Sequence, residues 1–511
     1  TVGNALDVFN TSSWPRSGVV TVSDSLVPDG GVLSTSSGRA VPAQHLRDGR
    51  LAFLAEDVPP LGRARYLLAA GARPATPLDS THAAGDSIWN GEIMATVDTI
   101  TGALASVRWK GHELVDRTRG GWGDYWYVPG RSSTAAVGVH GVTITVLDSG
   151  PLVASLRVNS IAPGARSLTR TYRVTSGSDV VEISATIDKR AVRTKEAVHI
   201  GFPFLVPKGQ VRLDVPWAIV RPDSDQLPGA NRNVLTADRW ADVSNDSIGV
   251  QWATLDAPLV ELGGMTAEDW HHDDGTTSWL RALPRTQLLF SYVMNNYWHT
   301  NFKADQSGPV TFRYAVRPHG AWDAGAAERF GIGESQPLIV APATGGDPST
   351  RISVSDHEVI VASVRSVPGG LQVRLFNPTS ARRLVEVSWN ARVARATLPP
   401  LGTTALILRT GSAPPSGSGH DWARRRASWS SSDGGSCRSM SRCPSCWSMK
   451  RCSRGRAWCR RIPRRRLTTC WTGCVHSRTI RTFTTCGVRS YRIPRTSRYW
   501  SWRSPPIVRR S

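Results

Sequence analysis

The chain has 511 residues and a formal net charge of +22, enough length for two or three domains and a large core. That charge is unevenly placed: residues 411–511 hold 22 Arg and one Lys against two Asp, a net +21. The other 410 residues carry 39 basic and 38 acidic side chains, so the body is electrostatically ordinary.

In chain order, residues 1–75 read as short strands. Val19-Val20-Thr21-Val22 and Leu51-Ala52-Phe53-Leu54-Ala55 are separated by the turn signal Pro28-Asp29-Gly30-Gly31, and Pro59-Pro60-Leu61-Gly62 follows. Residues 71–84 read as a linker. A second β region opens at Ser87-Ile88-Trp89-Asn90, and strand signals recur at 142–146, 152–158 and 180–187. Several of these alternate apolar with polar residues, the period of a sheet buried on one face. Helical patterning is confined to about 323–329. A third unit, about 341–410, has three short apolar runs that predict a compact terminal sandwich. The expected fold is all-β, with large stacked sheets.

All eight cysteines lie between Cys437 and Cys486, so the body needs neither disulfides nor thiolate chemistry. The chain opens at Thr1 almost inside a strand pattern, which reads as truncated upstream. No leader pattern and no apolar run long enough to cross a bilayer occurs, so no membrane partner is expected, and a cytoplasmic location is favoured.

From residue 411 hydrophobic periodicity stops, and Arg and Ser supply 41 of 101 residues. Three readings compete for this tail. It could be a basic arm for nucleic acid, or a zinc module around Cys443-Pro444-Ser445-Cys446, or out-of-frame translation of GC-rich DNA. The body's 34 Arg against five Lys favour the last, which makes nucleic acid an unlikely partner and leaves 411–511 without a packed core.

The most informative stretch is Ser291-Tyr292-Val293-Met294-Asn295-Asn296-Tyr297-Trp298-His299-Thr300-Asn301-Phe302. Its first half is a core strand; its carboxamides compete with a ladder for hydrogen bonds, so the second half leaves the sheet. Aromatic faces beside amides suit a sugar, and equally suit a packed strand end. Asn295, Asn296, Trp298 and Asn301 are therefore substrate-cleft candidates, expected to be exposed or half-satisfied because buried amides need dedicated partners. Tyr125 and Tyr127, in Gly121-Trp122-Gly123-Asp124-Tyr125-Trp126-Tyr127, form either a second sugar platform or a plug between domains. His271, His272, Asp273 and Asp274 are weak metal candidates in a polar loop. Asp256, before a turn, reads as a structural acceptor, and 188–196 as a salt-bridged sheet edge.

The 292–302 stretch, followed by Phe312-Arg313-Tyr314, resembles the C-terminal β region of glycoside hydrolase family 38 α-mannosidases. Val8-Phe9-Asn10 with Trp14-Pro15-Arg16, Trp126-Tyr127-Val128-Pro129-Gly130 and Gly201-Phe202-Pro203-Phe204 agree in order. So do Arg221-Pro222 with Asp225-Gln226-Leu227-Pro228-Gly229, and 253–259. The resemblance covers about residues 6–409. It implies a mutarotase-like supersandwich at 85–340, between the small β-sandwich region with its linker at 1–84 and the terminal sandwich at 341–410 that the strand pattern predicts. It also implies a zinc-dependent retaining α-mannosidase acting on α-mannoside glycans, with the nucleophilic Asp and the Asp and His ligands of zinc in an N-terminal α/β domain. No stretch of this chain matches that domain. The chain is thus expected to contain no catalytic residue, to bind no zinc and to be inactive alone, and the α/β domain becomes its expected partner. The rival class is a non-catalytic carbohydrate-binding or structural β module.

Overall fold

A computed structural model describes residues 4–27, 31–70, 80–267, 279–297, 303–346, 352–390 and 392–409. The predicted tail, the 271–274 loop, Trp298 and Asn301 lie outside them. The described chain is all-β, with a single α-helix.

The alternation seen in the sequence sets the layering. In Val181–Lys189, Val181, Ile183, Ala185 and Ile187 are buried while the residues between them are not. This strand sits inside a nine-stranded antiparallel sheet, between Ala165–Thr175 and Gly308–His319. A five-stranded sheet packs against it, with Glu196–Pro203 between Asp124–Pro129 and Leu288–Asn295. Glu196–Pro203 is buried at every position, because both of its faces are covered. A further five-stranded sheet runs from His82–Ala84 to His112–Glu113, so the last residues of the predicted linker are strand. One apolar core, including Trp122, Tyr172, Phe202 and Trp252, joins the three sheets.

Two smaller sandwiches flank this body. In the first, the four-stranded sheet containing Ala5–Asn10 packs on the three-stranded sheet containing Arg50–Val58, around Leu6, Phe53 and Tyr66. Its outer strand is Ile339–Pro342, which returns from beyond the helix to pair with Ala5–Asn10. The last unit is two three-stranded sheets around Val373, Leu375 and Val387. The helix Ala324–Ser335 is capped by Asp323, whose carboxylate accepts the Ala326 N–H. It runs six residues beyond the helical patch read from the sequence.

Candidate functional site

The strand Leu288–Asn295 ends where the sequence indicated, and the next two residues leave the ladder. What they do there departs from expectation. Asn296 is buried, and every part of its amide is used. Its Oδ1 accepts the Glu196 N–H at 2.7 Å, while Nδ2 donates to the carbonyls of Val192 at 3.1 Å, Thr194 at 2.9 Å and Ala304 at 3.4 Å. The Asn296 carbonyl accepts Lys195 Nζ at 2.7 Å. The expected half-satisfied cleft amide is therefore, at this position, a clasp that ties down the 190–195 connection. That connection lies about a hundred residues earlier in the chain, between Val181–Lys189 and Glu196–Pro203. Asn295 is half-buried, and its Oδ1 accepts the Tyr297 N–H.

Beside the clasp lies a buried ion pair. Lys189 Nζ stands 2.6 Å from Glu196 Oε1, with both side chains almost completely shielded from solvent. The two residues belong to interior strands of different sheets, so 188–196 is salt-bridged as predicted but is not a sheet edge. Burial first and the neighbouring Glu196 carboxylate second push the Tyr127 phenol up to about 12. Burial likewise raises the Tyr297 phenol, which donates to the Gly130 carbonyl at 2.8 Å.

Of the two readings of the 121–127 aromatics, the exposed platform fails for Tyr125. That ring is fully buried, and its hydroxyl donates to the Pro163 carbonyl at 2.6 Å. Tyr127 is half-buried against Gly164, which has φ +74° and where a Cβ would overlap the ring. Pro163 and Gly164 form the turn between two strands of the nine-stranded sheet, so both tyrosines plug the seam between sheets. Asp256 is the structural acceptor expected of it, holding Arg313 bidentately at 2.8 and 2.9 Å and also its N–H.

A cleft of about 940 Å³ opens elsewhere in the body, between Phe204, Leu262 and Leu283 on its apolar side and Arg119, Lys208 and Arg221 on its rim. Pro203-Phe204 and Arg221-Pro222, from two strings quoted above, converge there. Their separation in sequence gave no sign that they meet. Half of the cleft's lining is polar, with Asp116, Asp223 and Arg285 adding to the charged rim, so it is a mixed cleft rather than an apolar one.

Among the described residues no three His, Cys, Asp or Glu side chains converge to hold a metal ion. The described donors do not fit zinc.

No family model matches the sequence, and no curated protein matches it. Solved structures do match the fold. An α-mannosidase from Enterococcus faecalis V583 aligns at 15% identity with TM-score 0.60, over 80% of this chain and 56% of its own. A glycosyl hydrolase family 38 protein from Enterococcus faecalis aligns at 14% identity and TM-score 0.60, over 80% and 58%. A putative aldose 1-epimerase from Escherichia coli K12 aligns over 47% of this chain at 11% identity, with a TM-score of 0.27 too low to bear on function. The chain thus shares the fold of glycoside hydrolase family 38 structures and spans less than two thirds of their length.

Proposed function

We propose that this chain is the β portion of a family 38-type retaining α-mannosidase, working with an α/β domain that supplies the nucleophile and the zinc ligands. The substrate class is α-mannoside glycans. One observation carries the reading: a fold shared over 80% of the chain with an α-mannosidase at TM-score 0.60. The ordered motif strings agree with it. On this reading the Asn296 clasp and the Lys189–Glu196 pair serve catalysis only by holding the strand end that leads to Trp298.

The test has two parts. The purified chain should not release nitrophenol from 4-nitrophenyl α-mannoside. Co-expression with the segment encoded upstream should give turnover that a chelator abolishes. Turnover by the chain alone would overturn the division of labour. An upstream segment without an α/β zinc domain, together with micromolar mannoside binding by the chain itself, would replace the enzyme reading with a carbohydrate-binding module.

A further inference from the structure

A second cavity, of about 350 Å³, lies where the N-terminal sandwich, the nine-stranded sheet, the helix and the terminal sandwich meet. Ser12, Asp214, Trp217, Glu328, Ile360 and Phe376 are among its walls, one or more from each unit. Its volume is at the lower end of small-molecule sites and would hold on the order of ten waters.

Its polar groups are unusually short of partners. Ser12, Asp214 and Glu328 are each more than nine-tenths buried. Among the described residues, neither Ser12 Oγ nor Asp214 Oδ2 has a hydrogen-bond partner. Asp214 and Asp238 both pair with the single guanidinium of Arg239, whose charge also acts on Glu328. The guanidinium is committed to Asp238 at 2.7 Å and stands 3.8 Å from Asp214. Burial raises the Asp214 carboxyl and the charge of Glu328 raises it further; burial also raises Glu328. A native fold rarely leaves buried acceptors empty, because each costs about 1–3 kcal/mol.

The mouth adds the complementary feature. Trp217 is 48% exposed and packs edge-on against Phe376, with ring centroids 5.5 Å apart. It sits at φ +65° in the tight turn between Gln210–Val215 and Ala218–Val220. An aromatic entrance over an anionic floor is the chemistry that recognises an ammonium group: the ring face attracts the cation, and the carboxylates accept its N–H protons. A bare metal ion is less well served, since no three ligating groups converge among the described residues.

We infer that this junction cavity binds a small organic cation, an ammonium donating to Asp214 Oδ2 and Glu328 with its apolar body against Trp217 and Phe376. The inference does not rest on the mannosidase reading and can fail or hold separately from it.

Calorimetric titration of the full chain at pH 8 with 2-phenylethylammonium and with 2-phenylethanol, nearly the same shape without the charge, tests it. The amine should bind at least tenfold tighter than the alcohol. Asp214→Asn should weaken the amine at least tenfold and leave the alcohol unchanged. Lowering the pH to 5 should weaken the amine as well, as Asp214 and Glu328, which face Asp238 and Arg239, take up protons. Trp217→Leu, at the exposed mouth, provides a variant whose folding is not in question and should weaken both probes. Equal affinity for the two probes, no binding of the amine at millimolar concentration, or unchanged binding in folded Asp214→Asn overturns the assignment.

Discussion

The clasp around Asn296 and the junction around Asp214 are both buried polar clusters assembled from distant segments, and they are opposites. At the clasp the charges are matched one to one: Lys189 faces Glu196 Oε1, one amide serves one N–H and three carbonyls, and among the described residues Glu196 Oε2 alone of these atoms has no hydrogen-bond partner. At the junction, one guanidinium pairs with Asp214 and Asp238 and acts at longer range on Glu328, and two buried oxygens have no hydrogen-bond partner among the described residues. A closed network in low dielectric holds structure together, whereas an open one stores an unmet demand for charge. Burial and polarity alone do not separate the two; the accounting of partners does.

The largest expected effect comes from opening the clasp. Lys189→Met strands the Glu196 carboxylate and should cost about 3–5 kcal/mol in chemical denaturation. Adding Glu196→Leu should recover much of that loss, because a hydrophobic pair can replace a buried ion pair. No recovery would mean that the pair also sets the geometry of the connection. Next is Asn296→Ala, which leaves a buried N–H and several carbonyls unpaired and should cost about 2–3 kcal/mol. A cost under half of that would return Asn296 to the list of cleft residues.

A smaller effect concerns pH. Burial pushes Glu334 up to about 7 and Asp124 up to about 6, and raises Asp214 and Glu328 too. A carboxyl whose folded pKa is raised binds its proton more tightly folded than unfolded. Its contribution is complete below the unfolded pKa near 4 and is lost as pH rises through the folded value. Stability should therefore fall between pH 5.5 and 8.5, Glu334 alone contributing on the order of 2 kcal/mol, and Glu334→Gln should reduce that fall. The smallest effect is Asp256→Ala. Its Arg313 partner is 59% exposed, and such pairs are worth about 1 kcal/mol or less.

Much of the fold was legible in sequence because sheet layers impose a period of two. Val181–Lys189 shows it directly, with the apolar side chains buried and the polar ones between them less so. Glu196–Pro203 carried no such signal, since a strand covered on both faces need not alternate. The helix was seen only at its start, where Asp323 caps it; its second half is glycine-bearing and weakly patterned. At the site, the break in the ladder after Asn295 was legible, because carboxamides compete with backbone bonding. The fate of Asn296 was not, as its partners come from the 190–195 connection and Ala304. The same holds for the junction cavity, where Ser12, Asp214 and Glu328 are separated by more than a hundred residues each. Nothing local to Asp214, in Arg212-Leu213-Asp214-Val215-Pro216, announces that its carboxylate ends up short of partners.

The contrast between the closed and the open cluster is tested most directly by melting temperature against pH for the wild-type chain, Asn296→Ala and Asp214→Asn measured side by side. Asn296→Ala should lower the melting temperature at every pH, because its hydrogen bonds do not titrate. Asp214→Asn should leave it nearly unchanged at pH 5 and raise it at pH 8.5, where the wild-type chain must carry an unmet buried charge. A fall at pH 8.5 in Asp214→Asn as large as that in Asn296→Ala would contradict the account, showing the junction to be as fully partnered as the clasp.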